Sequence, residues 1–196
     1  SAMMPAIQVG LLVLVVTAPA FIFFSQKGPG AMHAPWLISL AAGLVVGGLS
    51  QVSRLCTVGG FRDLFLFKKS ILIFGYLAVL VGVFVVNISF GNFHLGFENQ
   101  PIAHTDGLWN FLGMALAGFC SVLLGGCPLR QLIMTGEGNS DSAVTVLGLA
   151  AGAAFAHNFG LAASGAGPTL NGEIAVGVGF VVALIIAILN TKRANA

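Results

Sequence analysis

The sequence predicts an all-α integral membrane protein. It would hold about six transmembrane helices, plus two short helices that follow cysteine-centred breaks, in a single transmembrane domain over residues 1–196. Three observations carry this. Hydrophobic residues make up 57% of the chain and charged ones 7%, at a mean hydropathy of +0.99, against roughly 25% charged residues in an ordinary soluble domain. Six stretches come close to the ~20 apolar residues that cross a bilayer as a helix: Ala6 to Phe24, Trp36 to Ser53, Ile71 to Phe90, Leu108 to Leu124, Ala143 to Ala163 and Ile174 to Asn190. Many of the 27 glycines fall inside those stretches, which suits membrane helices that approach one another through small residues.

The first stretch lacks a basic segment ahead of it and a clear cleavage site, so it reads as a span and not as a signal peptide. Ser1-Ala2-Met3, ahead of Met4, reads as an expression scar. The cluster Ser25-Gln26-Lys27-Gly28-Pro29-Gly30 stops the first span. Pro35 stands where a helix can begin, and Trp36 takes the interface position that amphipathic aromatics prefer. The second span is rich in small residues and runs into Ser53-Arg54-Leu55-Cys56-Thr57-Val58-Gly59-Gly60-Phe61-Arg62-Asp63. Residues 61–69 are too few to cross, but Leu64, Phe65, Leu66 and Phe67 suit a short helix tucked into the bundle or lying at its edge. The third span starts after Lys69, and the fourth begins near Trp109.

Charge placement predicts orientation. Arg54, Arg62, Lys68 and Lys69 cluster between the second and third stretches, and Lys192 and Arg193 follow the last. The loop from Gly91 to Gly107 holds Glu98 and Asp106 but no Lys or Arg, so the positive-inside rule puts it outside and both termini in the cytoplasm. The eight Lys and Arg residues form no basic stripe, which argues against nucleic acid. No GxxxxGK[ST] loop offers ATP binding. The outer loop has His94 and His104 without metal-ligand spacing such as HxxxH, and reads as solvated. No cofactor is called for.

The chain also repeats in character. Gly43 against Gly113, Gly48 against Gly118 and Gly82 against Gly152 share an offset of 70, and Cys56 against Cys127 gives 71. Repeat units of about 36–90 and 108–163 would each hold a small-residue helix, a cysteine-centred break, a short helix and another span. Internal repeats of this kind mark many transporters, whose sites lie at the repeat interface. Full crossing of the cysteine-bearing segments would make the units parallel, and dipping would make them inverted; both remain open.

The polar features inside this apolar chain centre on Gly125-Gly126-Cys127-Pro128-Leu129-Arg130-Gln131 and Gly136-Glu137-Gly138-Asn139. Pro128 is placed as a first helical residue, so the helix would aim its free amides and positive dipole end back at Cys127. That arrangement suits either an anion contact or a nucleophilic thiol. Arg62 and Arg130 follow Cys56 and Cys127, and an unpaired Arg within a membrane costs roughly 2.5 kcal/mol or more. Each should therefore face a cavity, a carboxylate or an anion, with Asp63 and Glu137 the nearby carboxylates. Cys120 lies about two turns before Cys127 on a similar face and can equally be a packing residue. His157-Asn158 is a polar pair that can simply tie neighbouring helices. Cys56 and Cys127, being soft, suit sulfane sulfur, sulfide, selenide or a related anion. Either neutral thiols donate weak S–H hydrogen bonds, or a thiolate transfers the atom through a persulfide.

The motifs Gly28 to Pro35, Ser53 to Asp63, Gly126 to Leu132 and Gly136 to Asn139 resemble the YeeE/YedE family of sulfur-transport membrane proteins, most closely its YedE branch, which is associated with selenium metabolism. The resemblance implies an hourglass-shaped bundle in a bacterial or archaeal inner membrane, with cysteine-bearing loops and short helices dipping toward the centre. It also implies passage of a small sulfur- or selenium-containing anion between cysteines. By motif, Cys56 and Cys127 take the place of such cysteines, and Cys120, Arg62, Arg130, Gln131, Glu137 and Asn139 accompany them. Members are often about twice as long, so the chain resembles a C-terminal half. It would then be a truncated form, a stand-alone short form or one half of an assembled pore, with a homo-oligomer or a second half as its membrane partner and a soluble sulfur-carrier or sulfurtransferase protein as a further candidate partner. The alternative is a membrane-embedded persulfide or selenium transfer subunit docking such a partner.

Overall fold

The computed structural model describes residues 3–17, 34–96 and 104–194. Over these the chain is helical, with no strand beyond an isolated bridge between Ser164 and Gly167. Among the described residues eight helices follow one another: α1 (Met3–Thr17), α2 (Trp36–Val52), α3 (Thr57–Phe67), α4 (Ile71–Ser89), α5 (Gly107–Leu123), α6 (Pro128–Gly136), α7 (Ser140–Asn158) and α8 (Leu170–Ala194). The turn cluster at residues 25–30, the motif residues 28–33 and Glu98 lie outside the described residues.

Four described stretches are long and apolar enough to cross a bilayer: Trp36–Phe67, Ile71–Ser89, Gly107–Gly136 and Leu170–Thr191. The protein is a multi-pass membrane protein. α1 is described over 15 residues, and α7 carries Asp141, Thr145, His157 and Asn158; neither is among the four. Large apolar side chains face outward, among them Leu44 at 70% exposure and Ile71 at 81%. In water such a surface would be a liability, and in a bilayer it is the surface lipid wets. At ~1.5 Å per residue, the 19 residues of α4 match the ~30 Å hydrocarbon layer. The 11 residues of α3 and the 9 of α6 reach about half of it.

Helix ends follow local chemistry. Asp106 caps α5 by accepting the Trp109 amide at 3.3 Å, and Asn139 caps α7 by accepting the Ser142 amide at 3.0 Å. The Thr169 hydroxyl accepts from Gly172 at 3.0 Å and starts α8. These last two caps explain why α7 and α8 begin three to four residues before the apolar runs at Ala143 and Ile174.

α2 and α5, each 17 residues long, end in the same turn. In the first, Arg54 N donates to Gln51 O at 3.2 Å and Leu55 N to Ser50 O at 3.1 Å. In the second, Gly125 N donates to Val122 O and Gly126 N to Ser121 O, both at 3.1 Å. Arg54 (φ 52°) and Gly125 (φ 74°) take the left-handed conformation this turn requires. A cysteine and a short helix then follow in each case.

The chain divides into two compact units. The first comprises residues 1–55 and 129–146, where the Gln8 amide donates to Thr135 O at 2.7 Å and links α1 to α6. The second comprises residues 56–128 and 147–196, where α3 packs on α4 and on α5, and α5 packs on α8. Gly60 lies at the first of these contacts, where a β-carbon would sit 3.4 Å from Ile73 N, an ordinary van der Waals distance.

Candidate functional site

In the second unit Cys56 is the N-cap of α3, with extended backbone, and its Sγ accepts the Gly59 amide at 3.3 Å. Sulfur thus does what a Ser or Asp oxygen usually does at a helix start. This is why α3 begins at Thr57, four residues ahead of the expected short helix. Cys56 is half-buried, and the buried Gly59 and Gly60 leave its sulfur close to backbone. Cys127 directly precedes Pro128, the first residue of α6, and is 7% exposed. Both cysteines therefore stand at the positive end of a short helix dipole. Cys56, Cys120 and Cys127 are all thiols, and none is bridged.

Cys120 is placed differently. It lies within α5, not at a break, and lines an apolar groove of about 1010 Å³ with Leu123, Leu124, Phe155, Phe159 and Asn171. Arg62 takes the carboxylate that follows it: its Nε and Nη2 donate to Asp63 Oδ1 at 3.0 and 2.9 Å. With Arg62 58% exposed, such a pair contributes about 1 kcal/mol at most.

The first unit holds the other arginine. Arg130 Nη1 donates to Gln51 Oε1 at 3.0 Å, Gln51 Nε2 donates to Glu137 Oε1, and Arg130 Nη2 stands 3.8 Å from Glu137 Oε2. Gln51, in the last turn of α2, bridges the cation and the carboxylate with the two ends of one amide. It is absent from the sequence-derived set. The available signal was a lone amide at the end of an apolar helix, just ahead of a cysteine break. Gln131 is buried beside Arg130 in sequence, and its carbonyl accepts the Thr135 hydroxyl at 2.8 Å. Asn139 spends its side-chain oxygen on capping α7.

His157 and Asn158 are exposed at the end of α7. The Asn158 amide donates to Ala154 O of its own helix at 2.8 Å, so this bond ties no neighbouring helix. Among the described residues no group of three or more His, Cys, Asp or Glu side chains could hold a metal ion.

The second unit by itself holds a soft donor at Cys56, the amides at the start of α3 and the Arg62 guanidinium, groups whose chemistry suits a small anion. The sequence matches the family model described as sulphur transport over residues 52–192. Over 111 residues it is 29% identical to the thiosulfate transporter TsuA of Escherichia coli (strain K12). That alignment covers 55% of this chain and 30% of the relative, so the chain spans under a third of the relative's length. No solved structure matches. The family match takes in Cys56, Cys120, Cys127, Arg62 and Arg130, and the chain belongs to the sulphur-transport (YeeE/YedE) family of membrane proteins.

Proposed function

We propose that the chain forms part of a path for a small sulfur-containing anion across the inner membrane, a transporter or channel and not an enzyme, with Cys56 and Cys127 as successive contacts. The carrying observation is the capping geometry at Cys56. The Gly59 amide occupies a sulfur lone pair, which leaves the S–H proton to donate outward to an anion. A relay of this kind needs the thiol to keep its proton while the ion is bound. A thiosulfate-like ion, with one soft terminal sulfur and hard oxygens, suits a thiol beside helix amides and an arginine. The likeness to a thiosulfate transporter supports thiosulfate, and a selenium analogue has the same softness.

The matching turns at Arg54 and Gly125, and the equal lengths of α2 and α5 and of α4 and α7, support two repeat units of about 70 residues within six crossings. The half-span lengths of α3 and α6 support segments that dip to the membrane centre. Basic residues at the ends of α2, α3 and α8 support cytoplasmic termini. The exposed polar pair His157 and Asn158 supports a covering second half or second copy, since such groups are costly against lipid. With no ATP-binding loop in the sequence, uptake would be drawn by a gradient or by a cytoplasmic sulfur-carrier protein.

The experiment is tracer uptake into proteoliposomes holding the purified chain, with labelled thiosulfate and labelled selenite run in parallel. Uptake of thiosulfate above empty vesicles is expected. Empty vesicles with well-folded protein would contradict transport by this chain.

A further inference from the structure

The Arg130, Gln51 and Glu137 side chains form a closed set whose two charges cancel, and the three members differ in what they could give up. Arg130 is 22% exposed and Glu137 39%. The more enclosed cation needs an anionic partner, whereas the more open carboxylate can turn away from it. The direct contact between them is long, 3.8 Å, because the Gln51 amide stands between: it accepts from the guanidinium at 3.0 Å and donates to the carboxylate. An amide in that position satisfies both ions without letting them close into a bidentate pair, the strong form of an Arg–carboxylate contact.

From this, and resting on the anion-transport reading, we infer that Glu137 is a built-in stand-in for the transported oxyanion on Arg130, displaced when the ion arrives, and that Gln51 is the positioning residue that keeps this latch weak. Glu137 sits where α6 has ended and Gly138, at a φ of 89°, turns the chain toward α7. A carboxylate beside a turn can rotate outward without unwinding a helix. With the site empty, Arg130 is neutralised by Glu137; with an oxyanion present, the guanidinium keeps the Gln51 bond and exchanges one carboxylate for another anion. The latch selects for charge: a neutral sulfur species offers Arg130 nothing to replace Glu137 with.

Two measurements on the full chain test this. Thermal melts of the parent, Arg130→Gln, Glu137→Gln and the double variant form a cycle, run without and with saturating thiosulfate. The expected result is a coupling between the two residues that thiosulfate removes. Coupling of equal size in both conditions, or none in either, overturns the latch. In uptake, Glu137→Gln is expected to lower the thiosulfate KM about fivefold, the scale of one weak ion pair. Gln51→Met, which lets Arg130 and Glu137 close up, is expected to raise KM, and adding Glu137→Gln should cancel that rise. A KM unchanged or raised in Glu137→Gln overturns the proposal. Should that variant fail to fold, Glu137→Asp, which retracts the carboxylate by one methylene, is expected to shift KM the same way. A parent that takes up nothing while thiosulfate still removes the coupling counts against transport alone.

Discussion

The Gly59 amide donates to the Cys56 sulfur across 3.3 Å, and a β-carbon on Gly59 would lie 3.3 Å from Cys56 Cβ and 3.5 Å from its sulfur. The amide holds the thiol, and a side chain at residue 59 would crowd it. Under the relay reading, Gly59→Ala displaces the thiol while leaving it present. Alanine also raises helix propensity by roughly 0.5–1 kcal/mol. The expected outcome is unchanged or slightly raised thermal stability together with several-fold slower thiosulfate uptake, checked by melting and tracer uptake on the same preparation. Full uptake would mean the position of the sulfur does not matter.

Arg54 and Gly125 take the same left-handed conformation, which costs a residue with a side chain roughly 1–2 kcal/mol and glycine little. Gly125→Ala is therefore expected to destabilise by about 1 kcal/mol, and Arg54→Gly to stabilise by a similar amount. Chemical unfolding in detergent checks both signs.

Asn139 belongs to the family-like motif, but its side-chain oxygen caps α7 through Ser142. Asn139→Ala is expected to cost about 1 kcal/mol of stability, and Asn139→Asp or Asn139→Ser should restore it. The thiosulfate KM should stay unchanged in all three, read from uptake curves normalised to folded protein.

Cys120 lines an apolar groove and stands at no helix start. Cys120→Ala is expected to keep most of the uptake, which separates it from the two cysteines that directly precede α3 and α6. Loss of uptake as severe as at Cys127 would extend the relay into α5.

Much of this was legible from the chain itself. The starts of α2 and α4 coincide with the apolar runs read from the sequence, and that of α5 falls within a residue of it, because Pro35, Ser70 and Asp106 bound those runs sharply. Pro128 opens α6 as its fixed φ suggests. The start of α3 was not legible, since cysteine is not a usual cap and its role depends on the amide three residues on. The Arg130 and Glu137 pairing could be read from their spacing, but Gln51 could not. Its partners lie 79 and 86 residues away, a distance over which helical periodicity says nothing.

The central claim is that an anion passes by way of the Cys56 and Cys127 thiols, and serine substitution at each tests it most directly. Serine caps a helix at least as well as cysteine, so Cys56→Ser should keep α3 in place while removing the soft S–H donor. Labelled thiosulfate uptake into proteoliposomes is expected to fall at least tenfold in Cys56→Ser and in Cys127→Ser, with melting temperatures close to the parent. Uptake at parental rates in both folded variants would contradict the account.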